Sequence, residues 1–208
     1  MANQLNLAKW VDCTEVEGPG KRFALWTQGC LLRCSGCCNP QLLDIVPKSI
    51  IEPSEILTRI EDAKNTYGIE GVTFLGGEPM LQAQGLSVVA KGCQDIDLSV
   101  VVFTGYSLGD LKKNPMKGVS ALLTQVDVLI DGEFIQAKVE TQRNWAGSTN
   151  QQFHFLTNRY QSGIELDPQY SHGFELRLLN DGSGQVNGWP VSAENMNNLN
   201  EIESKCTQ

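Results

Sequence analysis

Only two histidines, His154 and His172, occur in the 208 residues, and neither sits in a paired metal motif. Basic residues are also scarce: sixteen Lys and Arg stand against twenty-four Asp and Glu, for a formal charge of −8 and a pI near 4.8. That balance argues against broad binding to nucleic acid or to an anionic membrane surface, which needs a basic face. No apolar run approaches the roughly 20 residues of a membrane span. The opening MANQLNLAKWVDCTEVEG has no apolar h-region, so no signal peptide is expected. No internal repeat and no extended linker can be found. The expectation is a cytoplasmic chain without nucleic-acid or membrane partners, folded as a single domain over 1–208.

What the sequence has is sulfur. Four of its seven cysteines crowd into CLLRCSGCCNP, residues 30 to 40. Where thiols are kept reduced, such cysteines are ligands or catalytic groups rather than disulfides. Cys30, Cys34 and Cys37 form C-x3-C-x2-C. Tetrahedral zinc would want a fourth ligand, for which Cys38, Cys93 or a distant histidine are candidates. A four-iron cluster normally takes four thiolates, and three would leave one iron with an open position, which points to catalysis. Cys38 is adjacent to Cys37, and neighbours rarely reach one metal from a short loop, so it reads as a bystander. Cys13, Cys93 and Cys206 are scattered and read as packing or surface thiols.

The chain around this loop alternates strands and helices. Residues 22–28 (RFALWTQ) read as a buried strand feeding the cysteine loop. Pro53 to Tyr67 reads as an amphipathic helix, with Ile56, Ile60 and Ala63 on one face and Gly68 just past its end. Gly71 to Leu75 is a strand opening into Gly76-Gly77, and Met80 to Gly92 reads as a helix weakened by Gly85. Leu98 to Phe103 is an apolar strand covered on both faces. Val119 to Thr124 reads as a short helix and Val126 to Ile130 as a further strand. This order implies a parallel sheet with helices outside, whose functional loops follow the C-terminal strand ends. The cysteine loop, Gly76-Gly77-Glu78, Thr104-Gly105 and Asp131-Gly132 all fall there. Arg143 to Gln152 reads as a polar loop, HGFELRLLNDGSGQVNGW as a hairpin turning at Asp181 to Gly184, and the tail from Val191 as a surface helix.

Six stretches carry a resemblance: GPGKRFALWTQGC (18–30), CLLRCSGCCNP, VTFLGGEP (72–79), FTGYS (103–107), DVLIDGEF (127–134) and WAGSTNQQ (145–152). Together the chain resembles the radical S-adenosylmethionine superfamily, and within it the small activating enzymes of anaerobic ribonucleotide reductase and pyruvate formate-lyase. The resemblance covers about residues 15 to 160, leaving about 161–208 as a C-terminal extension. It implies an α/β fold, a partial (β/α) barrel, here with a C-terminal β-hairpin extension. It implies a [4Fe-4S] cluster on Cys30, Cys34 and Cys37, with S-adenosylmethionine on the open iron. Gly76, Gly77, Glu78 and Pro79 would then face the methionyl group, the glycines allowing close approach and Glu78 accepting from the amino group. Thr104, Gly105 and Asp131 would contact the ribose or carboxylate side, though each could equally be a turn or cap residue.

In this reading a 5′-deoxyadenosyl radical removes hydrogen from a polypeptide: a glycine of a glycyl radical enzyme or, alternatively, a precursor peptide presented with a peptide-binding accessory protein. A deazapurine-type enzyme acting on a small molecule is a third reading, and a protein that merely keeps the cluster a fourth. A flavodoxin- or ferredoxin-type donor would supply the electron. Two places depart from relatives. Gly36 and Cys38 flank the third cysteine where an aromatic is usual, so adenine stacking is assigned to Phe103 or Tyr106. Ala146 and Gln152 replace two arginines, so any anion contact these made is expected to be absent.

Overall fold

An apolar run becomes a central parallel strand when both its faces are covered, and three such runs set this architecture. The computed structural model describes residues 3–170, 173–178, 182 and 184–188. Strand β1 (Leu5–Thr14) leads to β2 (Arg22–Thr27), which is buried along its whole length. After β3 (Ser49–Ile51) and helix α1 (Pro53–Tyr67) comes β4 (Gly71–Gly76), which pairs in parallel with β2. Helix α2 (Ala83–Asp95) leads to β5 (Ser99–Thr104), parallel to β4. Two short helices, α3 (Leu108–Lys113) and α4 (Val119–Leu123), lead to β6 (Val128–Asp131), parallel to β5.

Antiparallel strands flank this parallel unit. β1 and β3 lie beyond β2, and β7 (Gln152–Phe155) lies beyond β6. The order is β3-β1-β2-β4-β5-β6-β7, an open α/β sheet whose end strands do not pair with one another among the described residues. Phe23, Leu25, Phe74, Val100, Val102 and Leu129 meet Ile56, Ile60, Leu86 and Val89 of the helices in the main core. No described helix is long and apolar enough to cross a membrane.

Local sequence explains the helix limits. Proline opens α1, and Gly68 at φ 65° closes it in the left-handed conformation that glycine adopts freely. The helix read over Met80 to Gly92 starts later as an α-helix, because Glu78 caps a 3-10 turn over Pro79–Gln82. Gly85 belongs inside it: a Cβ there would stand 2.4 Å from Asn3 O and 2.8 Å from Leu5 Cδ2. β1, β3, α3 and β7 are additions to the sequence reading. β1 is irregular between Leu7 and Lys9 and between Val11 and Thr14, which breaks the period-2 pattern a strand should show.

Arg22 pins the lower edge of the sheet. It is fully buried, and its guanidinium donates to Thr73 Oγ1 (2.7 Å), Pro19 O (2.9 Å), Ser99 Oγ (3.0 Å), and the carbonyls of Val72 and Ser99. In the last part, β8 (Phe174–Leu178) and β9 (Gly184–Gly188) form an antiparallel ribbon. Asp181 and Ser183 of the turn read at Asp181 to Gly184, and the tail from Val191, lie outside the described residues.

Candidate active site

The cysteine loop leaves the end of β2 and is tied shut at its base. Gly29, at φ 97°, donates through its N–H to Leu42 O (2.9 Å), and Cys30 N–H donates to Leu43 O (3.0 Å). The side chain of Gln28 donates to Asp44 O (2.7 Å) just below. Inside the loop Cys37 N–H donates to Cys34 O (3.2 Å). Cys30 is buried and Cys34 and Cys37 half-buried, all three bordering one cavity of about 650 Å³. Their thiols differ. Donation from the Cys38 thiol, with help from Asn39 N–H, brings Cys37 down to about 6 against burial, whereas burial pushes Cys34 up. Cys38 is thus a donor to its neighbour as well as part of the cavity lining.

The facing wall is the loop after β4. Gly76 sits at φ 122°, and a Cβ on it would stand 2.3 Å from Thr27 N. A Cβ on Gly77 would stand 2.3 Å from Gly29 O and 2.8 Å from Leu42 O. The Gly77 and Glu78 N–H groups donate to Thr27 O (2.8 Å) and Gly29 O (2.9 Å). The two glycines, read as room for a ligand, therefore first make room for the chain's own backbone at the base of the cysteine loop.

Glu78 locks this wall to the next strand. Only 1% exposed, it accepts from Met80 N (2.9 Å), Thr104 Oγ1 (2.8 Å) and Gly105 N (2.9 Å). Burial pushes its carboxyl up, and those three donors act against the shift. A carboxylate has about four acceptor sites, so most of Glu78 is already spent on holding Thr104 and Gly105 in place.

The cavity lining includes Cys30, Cys34, Cys37, Gly76, Gly77, Glu78, Pro79, Thr104 and Gly105. Asp131 is the exception among the residues read from sequence. It lies behind the cavity, accepts from Leu108 N at the start of α3, and stands 2.9 Å from His154 Nε2 on β7. Phe103 borders the cavity, whereas Tyr106 packs against the main core. The loop at 145–152 brings Trp145, Gly147 and Gln151 to the lining. An arginine does serve that loop: Arg143 donates to Glu140 Oε2 (2.7 Å), Gln151 O (2.9 Å) and Thr149 O (3.2 Å). Burial raises the Glu140 carboxyl, but the Gln142 N–H, the Arg143 guanidinium and the Thr141 N–H outweigh it and hold it at about 2.

Several lining residues escaped the sequence reading. Lys9 Nζ lies 4.4 Å over the Trp26 ring and donates to Val186 O (3.1 Å). Glu17 is buried, which pushes its carboxyl up to about 7, and it accepts from Gly188 N (2.6 Å). Burial also lowers Lys9, against the opposite pull of Glu17. Gln41, Gln185 and Asn187 complete this side. Lys9 and Glu17 carried no distinguishing signal, because the residues between them, WVDCTEV, hold two further charges in Asp12 and Glu15.

The donor set can be tested against the group it would hold. Among the described residues no three His, Cys, Asp or Glu side chains converge on an ion-sized point. Three thiols instead border a cavity walled by glycine backbone and roomy enough for an organic molecule, which fits a multi-atom cluster beside a second cofactor. Fold and site together fit the class of iron–sulfur enzymes, with three thiols bordering a cavity at the strand ends of a parallel sheet. The chain belongs to the family described as a 4Fe-4S single cluster domain, which matches residues 16–154, and it is a radical S-adenosylmethionine enzyme of the small activating-enzyme-like group. Its cofactors are a [4Fe-4S] cluster and S-adenosylmethionine.

Three similar proteins share one name, anaerobic ribonucleoside-triphosphate reductase-activating protein. That of Vibrio cholerae serotype O1 is 32% identical over 159 residues, covering 74% of this chain and 99% of the relative. That of Haemophilus influenzae is 32% identical over 157 residues, covering 72% and 97%. That of Escherichia coli K12 is 29% identical over 160 residues, covering 73% and 99%.

Proposed function

We propose that this chain is an activase that removes a hydrogen atom from a glycine of a partner polypeptide, the partner being of the anaerobic ribonucleotide reductase kind. The observation carrying the reading is that the three loop thiols, the Gly76-Gly77 wall and the Thr104-Gly105 turn border one cavity. In this reading Cys30, Cys34 and Cys37 hold the cluster. Gly76, Gly77, Glu78, Pro79, Thr104 and Gly105 hold S-adenosylmethionine, with Asp131 positioning α3 from behind. When bound, these cofactors supply one-electron cleavage of a carbon–sulfur bond and a carbon-centred radical able to abstract hydrogen.

The chain's own part is positional. Glu78, with most of its acceptor sites engaged, fixes the two strand-end loops relative to each other. Donation from Cys38 favours the thiolate of Cys37 near neutral pH, the form a metal takes. The buried floor formed by β2 and β4 keeps water from that side. The parallel unit is read as a partial (β/α) barrel within one domain, core about 15–160 and extension about 161–208, with a flavodoxin- or ferredoxin-type electron donor and a cytoplasmic location. Ala146 and Gln152, where the family resemblance leads one to expect arginine, favour a second reading: a maturase of a precursor peptide.

Anaerobically reconstituted protein should form 5′-deoxyadenosine from S-adenosylmethionine under a strong reductant, and Cys34→Ala should form none. Product in both, or in neither, sinks the assignment. A stable glycyl radical seen by electron paramagnetic resonance on an added anaerobic ribonucleotide reductase supports the first reading, and a permanent mass change in a peptide supports the second.

A further inference from the structure

The β8–β9 ribbon is an addition to the matched family core. The family match ends at residue 154, and the similar activating proteins are covered over 97–99% of their length by only 72–74% of this chain. Yet the ribbon reaches the centre, because Gln185, Asn187 and Gly188 border the same cavity as the three thiols. It is held there by polar contacts with β1 and the bend after it. Asn187 Nδ2 donates to Thr14 Oγ1 (2.9 Å), Glu15 N–H to Glu175 Oε1 (3.0 Å), and Arg177 to Cys13 O.

Its patterning runs opposite to that of a stabilising strand. Phe174, Leu176 and Leu178 face solvent, while Glu175 and Arg177 face the sheet. A ribbon retained for stability alone would bury the apolar set, since burial of such side chains is what stabilises a strand. This one instead sets polar groups beside the cavity.

Two of the lining residues have unused side chains. Gln185 on β9 and Gln41 in the cysteine loop make no side-chain hydrogen bond among the described residues. A carboxamide offers both a donor and an acceptor without charge, the same complement as a peptide group. Lys9, the lining cation, is committed to Val186 O and the Trp26 ring. That leaves the rim suited to a neutral main chain rather than to a phosphate.

We propose that Gln185 and Gln41 are substrate-positioning residues that grip the main chain of the polypeptide substrate at the cavity rim, and that the β8–β9 ribbon is the wall this chain adds to do so. The proposal rests on the polypeptide reading above. The test uses the reconstituted holoprotein under anaerobic conditions and a blocked peptide, acetyl-Ser-Gly-Gly-Ser-Lys-amide carrying fluorescein on the lysine, read by fluorescence anisotropy. Gln185→Leu and Gln41→Leu should each weaken binding at least about fivefold, the equivalent of one lost hydrogen bond, with iron content per chain as the check on folding. N-methylation of the two glycines should weaken binding to the wild type and add little in Gln185→Leu. Equal affinity in wild type and variants overturns the proposal, as does unweakened binding of the N-methylated peptide or no wild-type binding at millimolar concentration. Should Gln185→Leu lose its iron, Gln41→Leu and the N-methylated peptide still decide. Failure of the wild type to form 5′-deoxyadenosine would fell the function proposed above, and is read apart from anisotropy, which needs no cleavage.

Discussion

The parallel unit and the β8–β9 ribbon border one cavity but are held by opposite means. β2, β4, β5 and β6 are almost wholly buried, sealed by an apolar core on one side and tied at the base by Arg22. The ribbon leaves its apolar residues in water, Leu178 at 81% exposure, and hangs on hydrogen bonds to β1 and the following bend. Moving a strand in the first region means opening a close-packed core, whereas each contact of the second contributes only about 1 kcal/mol. The thiols and the glycine wall thus stand on the rigid part and the added wall on the soft part, an arrangement in which chemistry is fixed and selectivity is free to change.

Replacement of Arg22 should sharpen that contrast most. Arg22→Met strips the donors from buried carbonyls of Pro19, Val72 and Ser99 and should cost about 3–5 kcal/mol in urea unfolding. A loss under about 1 kcal/mol would break the comparison. On the ribbon side, the largest effect should come from pH. Burial raises Glu17 from 4.5 to about 7, so the folded state prefers it protonated. Its contribution is complete below about 4.5 and is lost as pH rises through 7, a change of at most about 3 kcal/mol. Amide exchange in β9 should accordingly quicken between about pH 4.5 and 7 beyond the intrinsic rate and level off above that, while exchange in β4 should not.

Gly77→Ala comes next, at about 1–3 kcal/mol with loss of bound iron, because its Cβ meets backbone that cannot swing aside. Asn187→Ala should cost about 1 kcal/mol, confined to faster exchange in β8 and β9 and leaving iron content unchanged. Smallest of all, Cys38→Ala should keep its full iron content, and a variant that lost it would make Cys38 a ligand.

The parallel unit was legible because continuous apolar runs leave few alternatives, and α1 because proline and glycine mark its ends. That Cys30, Cys34 and Cys37 act as one group was readable from their spacing, and the three border one cavity. Gly76 and Gly77 were found for a reason the structure changes, since the backbone they admit first is the chain's own. Asp131 reads from sequence as either a ligand contact or a turn or cap residue; the structure has it accepting from Leu108 N at the start of a six-residue helix too short to show periodicity, which is why sequence alone leaves the two open. The ribbon's strands could be read, but not where they dock: Gly188 and Glu17 are 171 residues apart, and no local pattern reports such a meeting.

That separation also imposes an order in time. The thiols, both glycine-bearing loops and the lining loop at 145–152 have all been made by residue 152, whereas the contact between Gly188 and Glu17 waits for the last described strand. At about 5–20 residues per second, the nascent chain spends several seconds with its thiol pocket formed and one wall still missing. Iron and sulfide delivered in that interval would meet an open side that the finished protein closes.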